Sequence, residues 1–532
     1  MLWNGDNEAG EATKVPILPP QHGYAGFFIW GTVIVLAIIT AILSRTWFVA
    51  LLIFRYLRLI IALISFWGFY RPTHPTLSNS YGRHQVAVIL PTVDPFSPHC
   101  LETVCSILLQ KPCLLLIVLG GPKALAQGVQ ADNFNKQLKA LAEENTHTQI
   151  RVLGSAVANK RAQIVTGVRY LRERCPKNAN NPEIIVFADD HVSWPHERFL
   201  EYLVAPFRNP QVALVGTNKR VRRSTPPGEW STKSIVNLVG CLYLERHNFE
   251  IQASTSIPYD NGAFVISGRT QGHRAELVFQ EPILKLFLDE SFFFGMLGPL
   301  NADDDNFWTR MYFQMGKKCV FQSCKEALME TELGEYPKFS QQLMRWSRTT
   351  FRSNPAVLRK VTPAFNPWVH QLWSIYSVYI AGITNFALFW DPLLVWAFVQ
   401  SEYWTEYGWA GLACLVIIIL GSKLVKPFAH YRRNPRDILL VPVATWMFAY
   451  VHSIYKFWSM ITFWDVAWSG RKLESAAAGD EKMQARVNEL KAQAQEEDRN
   501  EMTKYQALLE GAGEDDTRLG RKDNGGNIRQ RK

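Results

Sequence analysis

Five apolar stretches, in two clusters on either side of a more polar middle, constrain the fold of this chain most strongly. Residues 23–44 carry no charged side chain and are long enough to cross a hydrocarbon layer about 30 Å thick. Residues 46–70 follow, interrupted only by Arg55 and Arg58. The second cluster comprises residues 361–400, 407–422 and 438–455. One such stretch is compatible with a buried core helix, but five in two clusters predict an integral membrane protein.

The first stretch lacks a basic leader and a small-residue cleavage site, which argues against a cleaved signal peptide. We expect a retained anchor that forms a hairpin with residues 46–70. The amino terminus and residues 71–360 then lie on the same side of the membrane. Basic residues beside the apolar stretches, such as Arg432 and Arg433, follow the excess of positive charge on cytoplasmic loops. The pattern predicts a multi-pass protein of the cell membrane whose middle region is cytosolic.

The net charge of +10 does not indicate nucleic acid as a partner, because the basic residues are scattered and no nucleic-acid-binding motif is present. The eight cysteines show neither a C-x-x-C pair nor the His/Cys spacing of a metal site. They are typical of free thiols in a reducing compartment.

Between the apolar clusters, short strand-like runs alternate with helical patterns. Strands are predicted near residues 86–90, 114–119, 149–153 and 183–187, and helices over 99–110 and 159–174. This alternation predicts an α/β fold with a largely parallel sheet. Ligands of such sheets bind at the carboxyl ends of the strands, where Asp94 and Asp189-Asp190-His191 fall.

Two acidic groups are candidate catalytic sites. Carboxylates next to an imidazole in Asp189-Asp190-His191 suit Mg²⁺ or Mn²⁺ bridging phosphate oxygens, although a surface turn or helix cap is the alternative. The other group, Asp303-Asp304-Asp305, places three like charges together, which can raise one pKa toward that of a general base. These aspartates also suit the start of a helix running on from Phe307, and both interpretations can hold together.

A third motif, Gln342-x-x-Arg345-Trp346, has the i, i+3, i+4 spacing of one helix face. The planar, five-donor guanidinium of arginine suits a diphosphate, and the indole of tryptophan suits a sugar ring.

In this order, with Lys160-Arg161 opening a helix and Gly262 preceding Arg269, the motifs resemble those of processive family 2 glycosyltransferases. These include hyaluronan, cellulose and chitin synthases, and the chain most resembles the fungal hyaluronan-synthase-like type 2 glycosyltransferases. The resemblance covers about residues 25–472. It implies a cytosolic GT-A-like, Rossmann-type nucleotide-sugar domain inserted between transmembrane helices.

The resemblance also implies roles for individual residues. Asp94 would contact the uracil or ribose, and Lys160 would hold the nucleotide. Asp190, with Asp189 and His191 as further candidates, would bind the metal ion on the diphosphate.

At the reacting sugar, the resemblance makes Asp304 the general base and leaves Asp303 and Asp305 as alternatives, because the usual base motif appears here as Ala302-Asp-Asp-Asp. Arg345 would stabilise the departing diphosphate, and Trp346 would form the floor of the acceptor site.

Gly262, Gln342 and Trp468 are further candidate substrate-binding residues, Trp468 within a segment that resembles the gating segment of hyaluronan synthases. The chain departs from the family pattern at Ala188, where an aspartate is usual, and at Gly120-Gly121, where an acidic pair is usual. No hyaluronan-type cysteine precedes Gly262, so hyaluronan is not implied as the product.

The expected protein is therefore an inverting, processive synthase that uses a nucleotide-sugar, by resemblance a UDP-sugar, to build an extracellular or outer cell-wall polysaccharide. A role in fungal hyphal growth on surfaces follows by analogy. A ceramide-type lipid glycosyltransferase and a non-catalytic transporter or channel are the alternatives.

The expected domains are an amino-terminal tail (1–22), a transmembrane hairpin (23–70), the catalytic domain (71–360), membrane and gating segments (361–471) and a charged tail (472–532). Trp368, Trp373, Tyr376 and Tyr379 are expected either along the polymer path or as membrane-interface anchors.

Overall fold

A computed structural model of the 532-residue chain provides the structure. The described residues are 47–76, 81–121, 147–174, 182–255, 260, 262–292, 298–301, 303–357, 366–380 and 386–466. The expected anchor at residues 23–44 and the charged tail from 472 lie outside them.

A seven-stranded mixed sheet forms the centre of the α/β region. Its strands are β1 (Val86–Thr92), β2 (Leu114–Gly120), β3 (Gln149–Ser155), β4 (Ile184–Ala188), β6 (Val212–Thr217), β8 (Thr270–Arg274) and β9 (Lys318–Gln322). Their order is β3-β2-β1-β4-β8-β6-β9. A second, three-stranded sheet consists of β5 (Val192–Ser193), β10 (Met329–Thr331) and β7 (Lys219–Val221).

The four strands predicted from the apolar runs are present, and they pair in parallel, β3 with β2, β2 with β1, and β1 with β4. Strands β6 and β9 were not predicted from the sequence, and neither was strand β8. It lies antiparallel between β4 and β6, and its five residues are all buried although most are polar. The expected α/β class is confirmed, and the sheet is mixed around β8.

Fifteen α-helices occur in the described part of the chain: α1 (Trp47–Ile64), α2 (Pro98–Leu108), α3 (Lys160–Arg174), α4 (Phe199–Val204), α5 (Thr232–Thr255), α6 (Ala275–Val278), α7 (Glu281–Leu288), α8 (Asp304–Gln314), α9 (Lys338–Val357), α10 (Pro367–His370), α11 (Leu372–Ser374), α12 (Ala387–Val399), α13 (Glu402–Val425), α14 (Phe428–Arg433) and α15 (Phe448–Met460). Tighter or wider helical turns span Ser65–Phe69, Arg83–Gln85, Ala205–Arg208, Ile375–Ile380, Pro435–Leu440 and Pro442–Met447.

Helices cover both faces of the large sheet, as the fully buried strands β1, β2, β4, β6 and β8 require. Alternate residues of β1 point to opposite faces. Ile89 belongs to the core that includes the apolar side of α3, while Val88 belongs to the core that includes α2. Helix α2 begins where a sequence analysis expects it, because Ser97 accepts a hydrogen bond from the Cys100 amide and Pro98 occupies the first turn.

Two helical segments in the described part of the chain are long and apolar enough to cross a membrane, Trp47–Phe69 and Glu402–Val425. Both expose large apolar side chains: Trp47 is 83% exposed and Ile417 is 69% exposed. Helix α13 is not straight, since Gly408 has φ +47° and ψ −132° and kinks it. The predicted stretch at 438–455 is divided among three short helical segments rather than forming one long helix.

Candidate active site

A cavity of about 1450 Å³ lies beside the carboxyl ends of β1 and β4. Its lining includes the metal candidates Asp189, Asp190 and His191, the aspartate triplet Asp303–Asp305, and the helical residues Gln342, Arg345 and Trp346. Residues from these three separate parts of the sequence thus face one space, at the edge of the sheet where ligands of α/β proteins bind.

Asp190 occupies the turn that follows β4 and faces the cavity with 29% of its side chain exposed. Its Oδ2 accepts a hydrogen bond from Thr92 Oγ1 at 2.7 Å, and its Oδ1 lies 3.3 Å from His191 Nδ1. Burial alone would raise the pKa of Asp190, but the contacts with His191 and Thr92 outweigh it and hold the pKa below its usual value. Asp190 is therefore a carboxylate at neutral pH.

Lys160, the first residue of α3, connects two of the acidic groups. Its Nζ lies 2.6 Å from Asp189 Oδ1 and 2.8 Å from Asp304 Oδ2, and it donates to the Gly268 carbonyl at 3.1 Å. Burial works against the ammonium form, yet the two carboxylates raise the pKa of Lys160. The same ion pair lowers the pKa of Asp189 against the opposing effect of burial.

Asp303 is held by helix α9. Its Oδ2 accepts from Arg352 Nε at 2.8 Å and Nη2 at 2.7 Å, and its Oδ1 accepts from Thr349 Oγ1 at 2.5 Å. Both side chains of the ion pair are almost fully buried, at 2% and 1% exposure. Asp303 also has φ +63°, an unusual backbone conformation for a residue other than glycine. These contacts fix the start of α8.

Asp305 has a different environment. Its Oδ2 accepts a hydrogen bond from the Gly268 amide at 3.1 Å, and its Oδ1 accepts one from the Asn306 amide at 2.9 Å. Burial, followed by the charges of Asp304 and Asp303, raises the pKa of Asp305 to about 6. The aspartate triplet thus separates into one structural carboxylate, one paired with Lys160, and one with a raised pKa.

Helix α9 confirms the predicted helical setting of Gln342, Arg345 and Trp346, all of which line the cavity. Gln342 Oε1 accepts from the Gly334 amide at 3.3 Å. The Trp346 ring stacks on Tyr243, with centroids 5.5 Å apart, and the Arg269 guanidinium lies 5.3 Å from the Trp346 centroid.

Arg269 marks the motif series but was given no role, and Tyr243 was not predicted as a site residue. Only the fold brings both to Trp346. Burial and the nearby guanidinium of Arg345 lower the pKa of Arg269, opposed by Asp189.

Three sequence candidates are placed elsewhere or lie outside the described residues. Asp94 is exposed on the loop after β1 and is not among the residues lining the cavity. Gly262 is also absent from the lining; its φ of +100° and its bridge to Cys319 give it a backbone role beside β9. Trp468 lies outside the described residues.

The donor set fits a divalent cation that completes its coordination with phosphate and water. Mg²⁺ and Mn²⁺ sites of this kind need only one or two protein carboxylates. Asp190 offers such a carboxylate to the cavity, with His191 beside it, whereas the facing oxygens of Asp189 and Asp304 already contact the Lys160 ammonium. Among the described residues, no group of three or more His, Cys, Asp or Glu side chains forms a ready metal cage.

Comparison with known proteins agrees with this chemistry. The family model "Glycosyltransferase like family 2" matches residues 84–349. A type 2 glycosyltransferase of Gibberella zeae is 33% identical over 80% of this chain and 75% of its own length. One from Zymoseptoria tritici is 32% identical over 81% and 84%. A solved mannosyltransferase of Pyrobaculum calidifontis, in complex with GDP-Man and Mn²⁺, aligns with 77% of this chain and 97% of its own at 14% identity and a TM-score of 0.42.

Proposed function

The chain belongs to the family 2 glycosyltransferases, enzymes that transfer a sugar from a nucleotide-sugar, and we propose that it is an inverting, processive membrane synthase of a polysaccharide. The proposal includes a UDP-sugar as donor and an extracellular or outer cell-wall glycan, used in hyphal growth on surfaces, as product. The observation that carries it is a single cavity lined by Asp190, the aspartate triplet and Arg345.

The proposed reaction is a single displacement at the anomeric carbon. An acceptor hydroxyl loses its proton to a carboxylate, and its oxygen forms a bond to the anomeric carbon from the face opposite the diphosphate. The bond between that carbon and the diphosphate oxygen breaks, and its electron pair leaves with the nucleoside diphosphate. Such a step needs a base near the acceptor and positive charge at the leaving group.

We assign the base to Asp305, with Asp304 as the competing candidate from the sequence. A base works best when its pKa lies near the operating pH, and the pKa of Asp305 is raised to about 6. One oxygen of Asp304 already accepts from Lys160, while Asp303 is committed to Arg352 and Thr349.

Arg345, Arg269 and Lys160 supply the positive charge proposed for the leaving group. Arg345 is close enough to lower the pKa of Arg269, and a bound diphosphate would add to the opposing effect of Asp189 and Asp305. A Mg²⁺ or Mn²⁺ ion held by Asp190 and His191 would add positive charge on the phosphate oxygens. Lys160 would hold the nucleotide side of the donor.

The membrane part of the proposal rests on the apolar surfaces of α1 and α13. Charged residues within apolar helices are costly unless paired. Asp391 of α12 meets this condition, since it lies 2.6 Å from Lys423 of α13 and 3.4 Å from Arg55 of α1. This ion cluster joins three helices that would span or border the bilayer. The catalytic domain at 71–360 is accordingly proposed to be cytosolic, between the hairpin at 23–70 and the segments at 361–471.

The test uses the purified full-length chain in detergent or lipid nanodiscs, with a panel of UDP- and GDP-sugars and Mg²⁺ or Mn²⁺. We expect release of nucleoside diphosphate with one donor and a product of many sugar units. Arg345→Ala should release little nucleotide, and the exposed Lys285→Ala variant serves as control. A lipid product with one added sugar would support the lipid glycosyltransferase instead of the polymer synthase. No release of nucleoside diphosphate with any donor would contradict the proposal.

A further inference from the structure

The cavity contains a second charged region, which none of the sequence motifs covers. Beyond Trp346 it reaches helix α5 and the helices of the two apolar clusters. We call this region the basic lobe, and its charged or titratable lining residues are Arg58, Lys219, Arg246, His247, Glu250 and Lys456. They come from α1, β7, α5 and α15, so that no contiguous sequence pattern marks the lobe.

Among the described residues, the basic side chains of the basic lobe outnumber its carboxylates. Among the described residues that line the lobe, Glu250 supplies the carboxylate. Its Oε1 lies 2.6 Å from Lys426 Nζ and 3.4 Å from Arg58 Nη2. Arg246 and Lys456 are electrostatic neighbours of the same group. Several cations around one carboxylate repel one another in a buried site unless a further anion joins them.

The edge of the lobe near β7 shows the same imbalance. Lys219 Nζ lies 2.7 Å from His247 Nδ1, a pair with no negative charge of its own. Burial first, then the positive charge of Arg269, lowers the pKa of Lys219, and burial and Lys219 lower the pKa of His247. A bound anion would oppose both shifts by favouring the protonated forms of Lys219 and His247.

Arg246 connects the lobe to the aromatic platform of the acceptor site. Its guanidinium lies 4.7 Å from the centroid of Tyr243, and Tyr243 stacks on Trp346. Arg246 Nε is buried and has no hydrogen-bond partner among the described residues. A guanidinium with one buried, unused donor thus lies one aromatic ring away from the indole proposed to carry the acceptor sugar.

We propose that the basic lobe binds a carboxylate carried by the acceptor saccharide, so that the enzyme extends a glycan containing uronic acid. This inference rests on the proposed function, because it takes the sugar on Trp346 to be the acceptor. A saccharide is favoured over a lipid phosphate, because the lobe joins the active-site cavity through the aromatic stack of Tyr243 and Trp346, which suits sugar rings.

The first experiment compares charged and neutral forms of one ligand on the wild-type protein. Binding of glucuronate, galacturonate and mannuronate oligosaccharides is measured by calorimetry, each against its methyl ester, which keeps the sugar and removes the charge. We expect at least one acid to bind roughly tenfold or more tightly than its ester, the size typical of a charge-assisted hydrogen bond. Equal responses to acid and ester across the panel, including none from either, would overturn the proposal.

The second experiment uses variants. Arg246→Gln should reduce the preference for the acid over the ester to near one, and Lys219→Met should reduce it in the same direction. Lys338→Gln, which removes an exposed cation at another part of the same cavity, should leave the preference unchanged. Thermal unfolding of each variant separates loss of binding from loss of folding. If Arg246→Gln folds and keeps the full preference, the carboxylate does not bind in the lobe.

A third arm tests the competing source of the anion. If a polyisoprenyl phosphate binds with the same dependence on Arg246 while no uronate does, the anion belongs to a lipid and the proposal is wrong. Calorimetric binding requires neither donor nor turnover. Failure of the proposed function would appear as absent nucleotide release, and failure of this inference would appear as absent discrimination between acid and ester.

Discussion

The raised pKa of Asp305 predicts how the rate of sugar transfer depends on pH. A general base acts only in its deprotonated form. With a pKa of about 6, Asp305 is about nine-tenths ionised at pH 7 and about one-tenth ionised at pH 5. We therefore expect kcat/KM to fall about tenfold between pH 7 and pH 5, with a midpoint near 6. A base with the ordinary value of 3.8 would remain more than about 90% ionised at pH 5 and show almost no decrease.

The assay is nucleoside diphosphate release at subsaturating donor, measured from pH 5 to 8 in buffers of constant ionic strength. Thermal unfolding at each pH verifies that the protein stays folded. Asp190 and Asp189 have lowered pKa values and should stay ionised throughout this range. An acidic midpoint near 6 is therefore not expected from these two groups.

Two variants assign the midpoint to a residue. Asp305→Asn should lower kcat by about a hundredfold or more, the usual contribution of a general base. It should also unfold at a higher temperature than the wild type, because it removes a buried negative charge from beside two others. Asp304→Asn, which breaks one contact of Lys160, is the matched comparison. A midpoint below 5, or full activity of Asp305→Asn with loss of activity in Asp304→Asn, would refute the assignment.

Three other changes test separate parts of the structure. Arg345→Ala should lower kcat by about two to three orders of magnitude, as expected when one stabilising donor is lost. Arg345→Lys should retain part of the rate. Equal rates in the wild type and both variants would remove Arg345 from the leaving-group role. Arg352→Met removes the cation that pairs with the buried Asp303 carboxylate, and it should lower the free energy of unfolding by about 3–5 kcal/mol. The measurement is denaturant titration. An unchanged denaturation midpoint would contradict the structural role of this ion pair. Gly262→Ala should prevent folding, because the φ of +100° at this position is unfavourable for alanine and the added Cβ would collide with the carbonyl oxygen of Cys319. Folding is judged by size-exclusion profile and melting temperature. A folded, active variant would argue against this account.

The sheet was largely predictable because β1, β2 and β4 are continuous apolar runs. A buried strand of a parallel sheet has this signature. Strand β8 was missed for the same reason: Thr270–Arg274 is mostly polar, and its burial depends on partners distant in the sequence. His273, for example, lies 3.0 Å from the hydroxyl of Tyr312, 39 residues away.

At the site, the sequence predicted which motifs would lie close together, but it did not distinguish the roles of the three aspartates. Three adjacent aspartates look alike in the sequence. Their differences come from Arg352, 49 positions from Asp303, and from Lys160, whose ammonium reaches Asp304 across the cavity. The basic lobe had no sequence signal at all, because its cations come from α1, β7, α5 and α15 and none of them belongs to one of the motifs.

Arg352 has a further consequence for how the aspartate triplet is connected to helix α15. Besides Asp303, it donates through Nη1 to the carbonyl oxygens of Phe463 at 2.8 Å and Asp465 at 3.3 Å, just past the end of α15. One planar guanidinium therefore contacts both Asp303 of the aspartate triplet and the segment that follows α15 in the second apolar cluster. Any displacement of that segment must either strain these hydrogen bonds or shift the Asp303 carboxylate with it, so that Arg352 couples the end of α15 to the acidic residues of the cavity.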